Sequence, residues 1–443
     1  MDYLDEFATF ARDSDPGDEV RAKTALILAD TVGAIVGGAA EPEVQALRDR
    51  LIADAPGPCG VIGTGATASA GVAALLNGTA GTTLEMDEGN QFAKGHPAIH
   101  VIPAILAEAA RRDVSGRALL DACAIGYDAA ARVGIATRLR GTMHPHGTWG
   151  AIGAAVGVLR LRGADATTIR EAMNMAANLG STTSRRTMLE GGTVRNVFAG
   201  VSNQMGLLAA DLAGVGYSGD GDGVGHVFGK VAGEGFDPAA MTDALGLRWE
   251  VMRNYFKMHS CCRFNHAALD ALDKIRQGEP SLDPSTVASV EVTSYAFAAE
   301  LDDPAPRNVL AAKFSVPFAI ATVLVNGSSG VQSFTQDKVD DPTIRALAAR
   351  VTVSEDPAMT ARLPDLRPAR VTVTMKDGRT LSATTETNRG DWAAPYPVDE
   401  IRAKYLSLAT RGWTEEASKE VWEGIHTLTD APSASGLLAR LAG

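Results

Sequence analysis

Tyr255-Phe-Lys-Met-His-Ser-Cys-Cys-Arg-Phe-Asn-His266 is the stretch at which the chain changes character. It gathers Lys257, His259, Cys261, Cys262, Arg263 and His266 and runs directly into an Ala/Leu pattern, Ala267 to Ile275, that reads as a helix. A helix start presents unpaired N–H groups and a partial positive charge, so donors and nucleophiles collected there suit an anionic ligand. The same residues would also make a solvated basic loop over two packed thiols. Upstream of this stretch the pattern is helical; downstream it mixes alternation with helices.

The upstream helices are Glu19 to Val36, Glu41 to Asp54, Ser69 to Asn77, Ala98 to Arg112 and Leu119 to Arg138. Trp149 to Arg160, Ala166 to Asn178 and Val201 to Ala213 follow. Downstream, Thr286 to Ala296 alternates β-branched residues. Val371-Thr-Val-Thr-Met375 and Thr380-Leu-Ser-Ala-Thr384 flank a Lys376-Asp377-Gly378 turn as a hairpin. The helices Phe314 to Asn326 and Pro342 to Arg350 lie between them. From Pro397 helices return, over Val398 to Ala409 and Glu415 to Thr427. The fold class expected is mainly α. A large helical domain is made of both chain ends, residues 1–267 and 397–443, and a smaller α+β domain covers residues 268–396.

Composition narrows the function. A length of 443 residues is too much for one ordinary core. A net charge of −12 argues against a nucleic-acid or membrane-surface role, so an anionic ligand must be drawn by a local basic pocket. Four cysteines without spaced pairs fit a reducing cytoplasm. The start, Met1-Asp-Tyr-Leu-Asp-Glu-Phe7, lacks a signal peptide's basic region. Ala25 to Ala40 is apolar but broken by Asp30 and too short to span a bilayer, which reads as a buried helix.

Three further loops carry chemistry. Glu85-Met-Asp-Glu-Gly-Asn-Gln-Phe-Ala-Lys-Gly-His96-Pro97 opens a helix, and Arg140-Gly-Thr-Met-His144-Pro-His146-Gly-Thr148 opens another. Arg185 to Gly200, containing Arg195, opens a third. Six of the eight histidines (His96, His100, His144, His146, His259 and His266) fall in or just after such loops. A helix N-terminus disfavours imidazolium, so these rings are kept neutral and available as bases, as proton abstraction beside a carboxylate requires. A metal is not expected: His144-Pro-His146 has no HExxH or spaced CxxC beside it, and adjacent Cys261 and Cys262 chelate one ion poorly. Lys257 and Arg263 could activate a cysteine nucleophile, but two small apolar side chains at a helix start is the stronger reading. Gly221, Gly223 and Gly225 neither follow a strand nor open a helix, which leaves a dinucleotide site unsupported.

Taken together, Glu85-Met-Asp-Glu with Gly-His-Pro97, His144-Pro-x-Gly-Thr, Arg195 to Gly200 and Lys257-x-x-x-Cys-Cys-Arg-x-x-His266 resemble the MmgE/PrpD family. The likeness runs in order from about Pro16 past Phe318. That family contains 2-methylcitrate dehydratase, cis-aconitate decarboxylase and iminodisuccinate epimerase. The resemblance implies a helical domain with an inserted α+β lid, a homodimer, and a cofactor-free site between the domains. By motif, His96, His144 and Lys257 match family active-site positions, and Glu85 or Asp87 stands for the family's aspartate. Arg195 falls where decarboxylase-like members have lysine, and Phe318 where they have tyrosine.

The expected activity is therefore that of a lyase moving a proton beside a carboxylate of a small di- or tricarboxylic acid. A dehydratase is expected first; epimerisation or isomerisation of a dicarboxylate and cis-aconitate-type decarboxylation are alternatives. A non-catalytic carboxylate-binding protein is the reading from a different class. The roles implied are His144 as general base or acid, Lys257 and Arg195 as carboxylate anchors, and His96 with Glu85 or Asp87 in shaping and proton relay. Arg263, His266 and Phe318 would complete the substrate contacts.

Overall fold

The computed structural model describes residues 2–443. The chain divides into two compact units. The first is Met1–Arg185, Val194–Tyr255 and Pro397–Gly443; the second is Arg186–Thr193 and Phe256–Tyr396. The division expected after residue 267 falls after Tyr255, because Cys261, Cys262, Ala267 and Ala268 belong to the apolar core of the second unit. Met188 joins the same core, which draws Arg186–Thr193 with it.

In the first unit the central elements are α1 (Gly17–Ala39), α2 (Ala70–Thr83), α3 (Pro97–Ala109), α4 (Gly116–Ala136), α5 (Gly150–Arg162) and α6 (Phe198–Gly214). α1 is long and apolar enough to cross a membrane, but 89% of its apolar window is buried inside the fold, and it is a core helix. It buries nearly every face, as expected of a helix with no polar side. α3 starts with Pro97 at its first turn and has all thirteen residues buried, Pro103 among them. α5 packs against α3, α4 and α6 at once. Small residues make that possible: a Cβ on Gly153 would lie 2.4 Å from the Gly126 carbonyl oxygen of α4, so only glycine allows the two backbones this approach.

The C-terminal helices Val398–Ala409 and Glu415–His426 pack on α1. Lys404 donates to Asp30 of α1 at 2.6 Å and to the Met86 carbonyl at 2.6 Å. Both charged side chains are almost completely buried. The sequence reading has no element before residue 15, yet Tyr3–Asp13 is a helix capped by Asp2, with Leu4, Phe7, Ala8 and Ala11 buried on one face.

The second unit holds a four-stranded sheet. In chain order its strands are β1 (Val287–Ser294), β2 (Val351–Glu355), β3 (Ala369–Met375) and β4 (Thr380–Thr385), and in space they run β4-β3-β1-β2. β3 and β4 form the expected hairpin, with Thr374 opposite Thr380. β1 pairs antiparallel with β3, Val292 opposite Val371, and parallel with β2, Val290 opposite Val351. One face carries Val290, Val292, Val371 and Val373, all buried with α7 (Arg263–Gly278) and α8 (Val316–Asn326) in a single apolar core. The architecture is mainly α, with the strands concentrated in the smaller α+β unit.

Candidate active site

In the first unit four histidines converge. The His146 ring has three others edge-on around it: His96 at 4.8 Å, His100 at 4.6 Å and His144 at 4.6 Å between centroids. All four are buried. Burial pushes His100 down to about 3 and holds His144 and His146 well below the ordinary imidazole range; the Arg195 charge lowers the latter two further. These three rings are neutral at physiological pH.

Their hydrogen bonds assign the tautomers. The His146 backbone N–H donates to His144 Nδ1 at 3.0 Å, so the His144 proton sits on Nε2. Gly147 N–H donates to His100 Nε2 at 3.3 Å, and His100 Nδ1 donates to the His96 carbonyl at 2.7 Å. Gly147 stands at φ +85°, which lets two consecutive N–H groups turn inward onto two different rings. His96 is the reverse of His144. Its Nδ1 lies 2.5 Å from the Glu88 carbonyl and 3.2 Å from Asp87 Oδ2, so Nδ1 carries a proton. The cluster therefore holds rings protonated on Nδ1, His96 and His100, beside one protonated on Nε2, His144.

The His144 loop is fixed on the Thr183 segment. His144 N–H donates to the Thr183 carbonyl at 2.9 Å, and the Thr183 hydroxyl donates to the His144 carbonyl at 2.7 Å. Beside the cluster Glu85 has a left-handed backbone, φ +54°, unusual for a side-chain-bearing residue. Its carboxylate pairs with Arg195, and both side chains are buried. Arg195, expected from the sequence to anchor a substrate carboxylate, is thus also paired with an internal one. Glu88 of the same loop, which sequence reasoning passed over, contacts three groups. Its Oε1 accepts from Ala98 N–H at 2.8 Å, its Oε2 from Tyr127 OH at 3.0 Å, and its carbonyl from His96. Burial pushes this carboxyl up to about 8.

The second unit holds Lys257, Arg263, His266 and Phe318. Lys257 is fully buried, and Arg263 donates to Asp391 at 2.6 Å. His266 is buried in α7 with Nε2 donating to the Cys261 carbonyl at 3.2 Å, and burial keeps it neutral, helped by the His259 ring. Phe318 lies in the apolar core of this unit, its ring 5.8 Å from that of Phe334. A helix as apolar as Val316–Asn326 signalled that burial.

One trio among the described residues has metal-ligand character: His259, Asp270 and Asp273. Each already has a protein partner. His259 Nε2 meets Asp270 at 3.1 Å, Asp270 also accepts from Arg389 N–H at 2.8 Å, and Asp273 accepts from Arg276 at 3.3 Å.

Comparison with known proteins bears on both units. The model of the MmgE/PrpD N-terminal domain matches residues 3–232, and that of the MmgE/PrpD C-terminal domain matches residues 259–429. A cis-aconitate decarboxylase of Aspergillus terreus is 24% identical over 454 residues, covering 96% of this chain and 92% of the relative. The cis-aconitate decarboxylase-like protein oryM of Aspergillus oryzae is 25% identical over 456 residues, 97% and 94%. The cis-aconitate decarboxylase of Homo sapiens is 24% identical over 395 residues, 84% and 79%.

Proposed function

We propose, from the premise that this chain belongs to the MmgE/PrpD family, that it is a lyase that moves a proton on the carbon beside a carboxylate of a small di- or tricarboxylic acid. The observation that carries this is the pair of histidines around His146 whose Nδ1 atoms play opposite parts, donating in His96 and accepting in His144. In an elimination, a ring lone pair takes the proton from carbon, and the imidazolium so formed returns it to the departing hydroxide, which leaves as water. His96 Nε2 is assigned the proton transfer, and His144 Nε2–H the hydrogen bond to the departing oxygen. Burial keeps His144 neutral, so it acts as a hydrogen-bond donor and not as an acid.

Dehydration uses both members of such a pair, and it is the activity proposed first. Decarboxylation is the second reading, favoured by the names of the relatives. There the carboxylate leaves as CO2, the electron pair stays on carbon, and a proton delivered from solvent through a ring nitrogen quenches it. Epimerisation uses the same two nitrogens on opposite faces of one carbon. Lys257 is assigned to the substrate carboxylate, so Lys257→Ala should raise KM as well as lower kcat.

The test is a panel of hydroxylated and unsaturated di- and tricarboxylates incubated in heavy water, followed by proton NMR and by CO2 release. Dehydration appears as a new alkene without CO2. Decarboxylation appears as CO2 with one deuteron on the product, and epimerisation as exchange at a single stereocentre. A protein that binds members of the panel but exchanges and converts none is a carboxylate-binding module, and the lyase reading fails.

A further inference from the structure

Glu88 is the acidic residue of the Glu85–Glu88 run to which neither the sequence motifs nor the proposed chemistry gives a role, and it makes the most specific set of contacts. It sits in the loop before α3, while His96 occupies the position just ahead of that helix and provides no side-chain cap. The first turn of α3 therefore needs an acceptor from elsewhere. Glu88 Oε1 supplies it to Ala98 N–H at 2.8 Å. The other carboxyl oxygen takes Tyr127 OH at 3.0 Å, from the middle of α4. The main-chain carbonyl of the same residue receives His96 Nδ1 at 2.5 Å. One residue thus holds the helix start by its side chain and the ring of His96 by its backbone.

The rigidity of that arrangement decides which nitrogen of His96 is basic. If the Glu88 carbonyl moved relative to Ala98, the ring would lose the nearer of its two Nδ1 acceptors, the other being Asp87 Oδ2 at 3.2 Å. We propose that Glu88 is a positioning residue: through its links to Ala98 and Tyr127 it fixes His96 as the Nδ1–H tautomer, leaving Nε2 as the proton acceptor of the reaction. This rests on the lyase reading for its last clause and on geometry alone for the rest. The charged and titratable groups around the carboxyl are Lys23 and Asp30 of α1, Asp87 of its own loop and Tyr127 of α4. Burial among them pushes the carboxyl up to about 8, so the cap holds whether or not a proton is shared with Tyr127.

The experiment compares wild type, Glu88→Gln and Glu88→Ala by nitrogen-15 NMR of the histidine rings in the resting protein, and by the pH profile of turnover. Wild type should show His96 with a protonated Nδ1 and a bare Nε2. The glutamine keeps an acceptor for Ala98 and a partner for Tyr127, so it should keep that signature and a kcat within about fivefold of wild type. The alanine should show mixed tautomers, a kcat lowered by roughly 10²-fold with KM little changed, and a displaced acid limb. Should the alanine variant fail to fold, Tyr127→Phe, which removes one of the two carboxyl links, takes its place and should broaden the His96 signals and lower kcat by about threefold to tenfold.

An alanine variant that melts earlier but keeps the Nδ1–H signature and parental kcat would overturn the proposal, as would a wild-type His96 protonated on Nε2. Because the ring signals need no substrate, they decide the positioning role even if no carboxylate is turned over. That second result would remove only the lyase reading.

Discussion

Acidification is the perturbation that most directly tests the buried histidine cluster. His100, His144 and His146 are neutral in the fold, His100 down to about 3, whereas in the unfolded chain each titrates near 6.5. Between these limits the unfolded state binds more protons, so the stability from neutral burial is complete above about pH 6.5 and is lost as pH falls below it. Glu88 acts in the opposite sense. It holds its proton in the fold up to about 8 but only to 4.5 when unfolded, so folding takes up a proton in that window.

Three protons favouring the unfolded state less one favouring the native state leave a net of about two near pH 5.5, or about 2.7 kcal/mol per pH unit. From pH 6.5 to pH 5 the helical unit should lose about 3–4 kcal/mol, a large share of the ~5–15 kcal/mol typical of a domain. Urea titrations followed by fluorescence of Trp149, which is fully buried 5.6 Å from the His100 ring, would read the slope directly. His100→Gln should reduce it by about one proton, 1.4 kcal/mol per pH unit. A stability constant to within half a proton across this range, or an unaltered slope in the variant, would refute the neutral-cluster account.

Three further outcomes follow from the packing. His144→Asn keeps an acceptor where Nδ1 takes the His146 N–H but deletes the Nε2–H; kcat on the true substrate should fall by roughly 10²–10⁴ with KM little altered, and a parental rate would remove His144 from the chemistry. Arg195→Met removes the guanidinium paired with buried Glu85 and should cost about 3–5 kcal/mol in denaturant melts; adding Glu85→Gln should return most of it, and no recovery would mean the pair is not coupled. Gly153→Ala sets a methyl 2.4 Å from the Gly126 carbonyl and should cost about 1–3 kcal/mol by calorimetry, whereas an unchanged melting point would show that α4 and α5 are free to separate.

The helices were legible where the periodicity was sustained. Ala166–Asn178 and Val398–Ala409 begin and end where the spacing predicts. Strand β2 was not, because five residues, Val351–Glu355, carry too few alternations to separate from the end of the preceding helix. The Tyr3–Asp13 helix is short and acidic at its start, which masks its periodicity, though Asp2 as cap and the Leu4/Phe7/Ala8/Ala11 spacing signal it. At the candidate site, sequence shows which residue types gather in which loops. It does not show that Glu85 spends itself on Arg195, or that Arg263 does so on Asp391, since both pairings join distant segments. Glu88 escaped for the same reason: its partners Ala98 and Tyr127 are ten and thirty-nine positions away.

The buried bond between Asp30 and Lys404 has a consequence for the making of the protein. Its two ends are 374 positions apart. A ribosome adding about 5–20 residues per second exposes Asp30 roughly 20–75 s before it has made the lysine that neutralises it. During that interval the carboxylate of α1 lacks its Lys404 partner, and the Met86 carbonyl next to the acidic loop lacks its donor. The nascent helical unit must wait, open, for a segment from the far end of its own message, and stalled chains ending before Lys404 should be digested by protease between α1 and α3 while released full-length chains resist. The order in which the chain is written is thus the reverse of the order in which the unit can close.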